Sequence, residues 1–225
     1  MQKLIVASIS CTLLMSIFAV PAFAEDATPP SDCAEWKSSV GIDTKALDKL
    51  AKNAASEKLS SGLLYTKNQF VVLLGKDLAA AKDVLANFKD KLPKTKKGQV
   101  DLEDVTLNGF NLSGLNLDNV DLESAEMNGA NISGSTLRGA SIYKAVLEGA
   151  KLNNSDLSFA NVAKAQLTNA SLCQANLTSA ELEDAAFLGA YLKGAKLDMA
   201  RNIPRIIYLN AENVLYYGLP VPPEK

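Results

Sequence analysis

The chain has 225 residues, 23 Lys and Arg against 25 Asp and Glu, three cysteines and no histidine. A net charge of −2 gives no overall basic excess of the kind that draws nucleic acid. The lack of histidine removes the commonest general base, the Ser-His and Cys-His pairs, and the commonest metal ligand.

Residues 1–24 read as a signal peptide. Lys3 is the only charge before Glu25, Leu4 to Val20 is apolar apart from small hydroxyl residues, and Ala22-Phe23-Ala24 offers small residues at the places a signal peptidase reads. A retained anchor fits less well, because the run is short and broken by Ser8, Ser10, Thr12 and Pro21. A lipid-modified Cys11 fits less well still, because Ser8-Ile9-Ser10-Cys11 lacks the usual Leu three residues before the Cys and lies inside the apolar run. Export to a periplasm or equivalent lumen is therefore expected, with no stable membrane insertion once the signal is removed. Cys33 and Cys173 would remain. Export permits a disulfide between them, although their spacing does not demand one.

Residues 25–99 are expected to be a helical N-terminal segment with a tether and a linker. Glu25 to Ser31 reads as the tether. A first helix is predicted from Asp43, as N-cap, to about Leu59, with Leu47, Leu50, Ala51 and Ala54 on one face. A second runs through Leu74, Leu78, Ala81, Leu85, Phe88 and Leu92, spaced alternately by four and three; Gln69 to Leu73 reads as its start or as a strand. Pro93 to Gly98 is a short linker. The segment reads as a cap for the C-terminal half of the chain or a small accessory domain, or as a partner-docking helical pair.

From Val100 the chain falls into blocks of five, beginning VDLED, VTLNG, FNLSG and LNLDN. Twenty such blocks run without insertion to Met199. The third residue is Leu in fifteen blocks and Met127, Ile132, Ile142, Val162 or Phe187 in the others. The first is Ala in thirteen, Ser135 and Ser155 in two, and a larger apolar residue in the opening five. Period five fits neither a helix nor a flat strand. It fits a coil that turns a corner every five residues and points one large and one small side chain inward per side. Four sides close a square, so twenty residues make a coil and 100–199 makes five. Successive coils then stack at about 4.8 Å. Proline is absent between Pro93 and Pro204, as a hydrogen-bonded ladder requires. Eight glycines, Gly109 and Gly139 among them, take the last place of a block, at the corner.

These blocks resemble the pentapeptide-repeat family, whose consensus is a small residue, Asp or Asn, Leu, and two variable places; Ala130-Asn131-Ile132, Ala160-Asn161-Val162 and Ala175-Asn176-Leu177 stand close to it. The resemblance implies a mainly β fold, a right-handed quadrilateral β-helix solenoid over 100–199. After Met199 the pattern fails at Asn202, and 200–225 is expected to be a C-terminal cap ending in a Pro-rich tail. In some family members such an end forms a homodimer, so the cap is a candidate dimer surface.

The repeats carry thirteen acids and six bases, and residues 25–99 carry ten acids and thirteen bases. An acidic column beside a basic segment should attract it, within one chain or between chains. Asp101, Glu103 and Asp104 are expected to stack under Asp121 and Glu123 as a solvated acidic edge. No catalytic, cofactor-binding or metal-ligating set is expected: the carboxylates are unshielded, no base stands by Cys173, and no phosphate loop occurs. Two outward aromatics, Tyr143 and Phe159, lie near Lys144 and Lys164 and make a candidate partner patch. Cys173 is expected to face solvent. If it bonds Cys33, the helical segment should pack along the third side, near Asn153, Gln174 and Lys193.

The function expected is a non-catalytic, secreted or periplasmic protein-binding or scaffold surface without nucleic acid or cofactor. The alternative is a nucleic-acid-mimicking topoisomerase inhibitor, a role the resemblance suggests and the signal peptide disfavours.

Overall fold

The computed structural model describes residues 40–204, which lie within one compact unit. The expected signal peptide, tether, Cys33 and the C-terminal cap beyond Pro204 fall outside the described residues.

Every first and third residue of the blocks from Val100 to Leu197 is buried. Parallel pairing recurs at a step of twenty residues on all four sides: Val100↔Val120, Thr106↔Glu126, Asn111↔Asn131 and Asn116↔Thr136. The same step continues to Glu181↔Arg201. The backbone of each block divides its bonds between neighbours. The third residue's N–H donates to the following rung, as Leu102 does to the Asp121 carbonyl at 2.8 Å. The second residue's N–H donates to the preceding rung, as Glu126 does to the Val105 carbonyl at 2.9 Å. The first residue's N–H closes the corner within the chain, as Phe110 does onto the Leu107 carbonyl at 3.1 Å.

That scheme leaves the fourth residue's N–H outside the ladder, and a buried or half-buried donor must find a partner. Asp or Asn at the second place supplies it. Asp121 Oδ1 accepts from Glu123 N at 3.1 Å, and Asn131 Oδ1 accepts from Ser133 N at 3.2 Å. Where the second place is Glu126, Thr136, Val146 or Ser171, the oxygen comes from one rung earlier. Asn108, Asp118, Asn128 and Asn153 then accept from Asn128, Arg138, Glu148 and Cys173, at 2.7 to 3.1 Å.

The last residue of every block has φ between 53° and 69°, the left-handed region. Eight are glycine; the other twelve, from Asp104 to Met199, carry a Cβ there at roughly 1–2 kcal/mol each. The N–H of such a residue donates to the following rung, as Asp104 does to the Glu123 carbonyl at 2.9 Å and Phe159 to the Thr178 carbonyl at 3.0 Å, and this helps hold the conformation.

Three short helices precede the ladder. α1 spans Thr44–Ala54, with Asp43 Oδ1 accepting from Ala46 N. α2 spans Lys67–Lys76 and opens on a capping box between Thr66 and Gln69. α3 spans Leu78–Asn87. Of the two readings open for Gln69 to Leu73, helix holds and strand does not. The long second helix needs correction, because it is two. Asp77 interrupts it, at φ −143°, by accepting from Ala80 N at 2.9 Å and starting α3. α1 also ends short of Leu59, where Glu57 turns to bind Thr66 and Asn68.

The helices seat on the first repeat unit, 100–119. Phe70, Val71, Leu74, Val84 and Leu85 share one core with Val100, Phe110 and Leu115. A Cβ on Gly75 would lie 3.0 Å from Phe110 Cε2 and 2.8 Å from Leu47 Cδ2. Lys67 Nζ reaches Asp101 Oδ1 at 2.5 Å and the Glu103 carbonyl at 3.1 Å, while Lys89 donates to the Asp118 carbonyl. Pro93 and Lys94 pair with Asp101 and Val100, covering an otherwise open edge. The helical segment therefore packs over the end of the column and not along its third side. The attraction between basic segment and acidic repeats acts within one chain.

Candidate functional site

Tyr143, Lys144 and Lys164 form a single outward cluster on the first side of the column. Tyr143 is half-buried; Lys144 Nζ lies 4.8 Å and Lys164 Nζ 5.8 Å from its ring centroid, both in cation–π range. Phe159 stands apart. It is the corner at which block 160–164 begins, and Lys164 is the corner at which that block ends. Phe159 is 63% exposed with φ 60°. Met199 occupies the same corner two rungs further on and is 69% exposed. Sequence reasoning passed over Met199, although a bulky apolar residue at a place glycine often fills was the signal.

Cys173 requires a correction. Its place in the block is outward, yet it is wholly buried. Its N–H donates to Asn153 Oδ1 at 3.1 Å, and Ser171 Oγ donates to the same oxygen at 2.6 Å, so Asn153 and Ser171 are buried with it. The Cys173 sulfur is disulfide-bonded. Cys33, the partner that the sequence permits, lies outside the described residues.

The acidic edge is not uniformly solvated. Asp121 is buried, and Asp101 is held by Lys67. Burial, with the Asp121 and Asp101 carboxylates beside it, holds the Glu103 carboxyl above the usual carboxylate range. Burial pushes the Lys89 ammonium down, with Asp118 opposing. Among the described residues no group of three Asp, Glu, Cys or His is placed to hold a metal ion, and no helix is long and apolar enough to cross a membrane.

A four-sided parallel solenoid with a five-residue period defines a class of protein, and likeness to known proteins agrees with it. The family model for pentapeptide repeats matches in eight copies, over residues 101–139, 130–165 and 163–198. The chain belongs to the pentapeptide-repeat family, and its repeats form a right-handed β-helix solenoid. Among solved structures it is similar to a pentapeptide-repeat protein from the thylakoid lumen of Arabidopsis thaliana. The identity is 30% over 54% of this chain and 86% of that one, with a TM-score of 0.47. It is similar to HetL, involved in heterocyst differentiation regulation in the cyanobacterium Nostoc, at 34% over 44% of this chain and 52% of that one, with a TM-score of 0.36. QnrB1, a plasmid-mediated fluoroquinolone resistance protein, shows 22% over 41% and 45%, with a TM-score of 0.38. No curated protein matches.

Proposed function

We propose that this chain is an exported, non-catalytic protein whose five-coil column, 100–199, presents a protein-binding or scaffold surface in a periplasm or equivalent lumen. The column is flanked by the helical segment 25–99 and a C-terminal cap over 200–225. The docking patch is Tyr143, Lys144, Phe159 and Lys164.

The observation that carries this reading is Phe159. A bulky aromatic held at φ 60° and 63% exposed costs backbone strain and wet apolar area together. The fold needs neither, since Gly139 fills the same corner one rung earlier. A partner that covers the ring offsets both costs.

Export is supported by the disulfide at Cys173, which belongs to an oxidising compartment. Cys33 is the proposed partner. The described chain passes tightly against the second corner of the first unit, where a Cβ on Gly109 would lie 2.6 Å from the Gly41 carbonyl oxygen. Cys33 lies eight positions before Gly41, a reach of about 26 Å. Cys173 stands three rungs above that unit, about 15 Å away along the column.

The test is cross-linked capture from the exported fraction. Wild type should retain a partner that Phe159→Gly and a Lys144→Glu/Lys164→Glu double variant both lose, while Phe159→Gly itself melts higher. Capture that all three chains share would overturn the patch. Protein retained in the cytoplasm with Met1 to Ala24 uncleaved would overturn export.

A further inference from the structure

A cavity of about 670 Å³ opens between α1, α2 and the first repeat unit. Its volume suits a small organic molecule. Leu47, Leu50, Val71, Val105 and Phe110 form its apolar lining. The charge on its rim is one-sided: Asp43, Glu103 and Asp104 face a single cation, Lys67. Lys67 is already committed, at 2.5 Å from Asp101 Oδ1 and 3.1 Å from the Glu103 carbonyl oxygen. Asn68 and Asn108 also have partners, Glu57 and Glu126, at 2.5 and 3.3 Å. Behind the rim, buried Asp121 and half-buried Asp101 crowd Glu103 with like charge, and its carboxyl sits above the ordinary range as a result of burial and these neighbours. One ammonium thus stands against several carboxylates beside a greasy recess. A second cation would relieve the crowding, and an apolar body attached to it would fill the recess.

We propose that this cavity binds a small organic cation, an apolar body ending in one ammonium, amidinium or guanidinium group. The cation lies against Glu103 and Asp104, and the body lies over Leu47, Val71 and Phe110. The site is separate from the Tyr143–Phe159 patch, so the two stand or fall independently. Arginine or lysine side chains share the head-group chemistry, but the volume exceeds what one such side chain fills, which favours a free small molecule.

The experiment is an NMR titration of the full chain with 2-phenylethylammonium, 3-phenylpropionate and 2-phenylethanol, following the methyl groups of Leu47, Val71 and Val105. The ammonium should give saturable shifts at those methyls at about millimolar concentration, with the carboxylate at least about tenfold weaker. Asp104→Asn and Glu103→Gln should each weaken the ammonium several-fold, to about tenfold, without unfolding the chain. Val71→Phe, which fills the recess, should abolish the shifts at Leu47 and Val105. Equal binding of all three probes, or a folded chain with no saturable shift at these methyls, would overturn the proposal.

Discussion

The repeat column and the helical segment solve the same problem by opposite means. In the column the ladder joins residues about twenty apart, short corner bonds repeat at every block, and each rung repeats the one before it. In the helical segment contacts are local, each helix has its own side-chain cap, and no two helices are alike. The column is therefore tolerant of side-chain change at outward places and intolerant of any change in count. The segment is the reverse: its turns absorb a residue, but its few fitted contacts with the first unit do not absorb a methyl group. Repeat arrays are stabilised by nearest-neighbour interfaces, so what the helical segment contributes is the one interface that the first unit lacks.

The sharpest way to break this contrast is to insert one alanine after Gly149. Every later inward residue then turns outward, and cooperative melting by circular dichroism should be lost. The same insertion after Gly62, in the exposed turn between α1 and α2, should leave melting within a few degrees of wild type. Next in size is Leu152→Ala. Leu152 is fully buried with a rung on either side, and the substitution should cost about 2–5 kcal/mol in urea unfolding. Gly109→Ala tests the fitted contact between the two regions. Its Cβ would meet the Gly41 carbonyl oxygen at 2.6 Å, in a φ of +69°, so a loss of about 2–4 kcal/mol is expected from overpacking and strain together.

The smallest effect sharpens the electrostatics of the junction. Glu103 has a raised pKa in the folded chain, so its contribution to stability is fully present below the ordinary glutamate value and is lost as pH rises through the raised one. Glu103→Gln mimics the protonated form. Stability at pH 7 should rise by about 0.5 kcal/mol at most, given solvent screening, and should fall less than wild type between about pH 4.5 and 7. A variant that tracks wild type across that range would remove the like-charge crowding.

Much of the column was legible because its physics is periodic. The buried Leu and Ala places and the glycine corners each repeat often enough that no single exception hides the rule. The corner backbone was only half legible. Asn119, Asn154 and Asn169 are residues that tolerate positive φ, but Lys144 and Phe159 are not, and they adopt it where their N–H groups join the ladder to the next rung. The helical segment was less legible for the converse reason. The four-three spacing from Leu74 to Leu92 is a true amphipathic signal, yet a single side chain, Asp77, outweighs it by capping a new helix. Thr66 and Gln69 carried a capping-box signature that marks the start of α2 and rules out a strand at Gln69 to Leu73. The burial of Cys173 had no signal in the repeat, because its place in the block is an outward one. The cavity was equally hidden: Asp43, Lys67 and Glu103 are distant in sequence, and only the seating of the helices on the first unit brings them together.

The central claim is the twenty-residue step. Thr106 and Glu126 are paired across adjacent rungs and both point to solvent, at a rung separation of about 4.8 Å. The most direct measurement is oxidative cross-linking of the Thr106→Cys/Glu126→Cys double variant beside Thr106→Cys/Asn131→Cys, with the bonded peptides read by mass spectrometry. A disulfide should form readily in the first, within the roughly 7 Å that the bond allows between Cα atoms, and not in the second, whose residues lie on different sides. Equal cross-linking of both pairs, or preference for the twenty-five-residue spacing, would contradict the ladder.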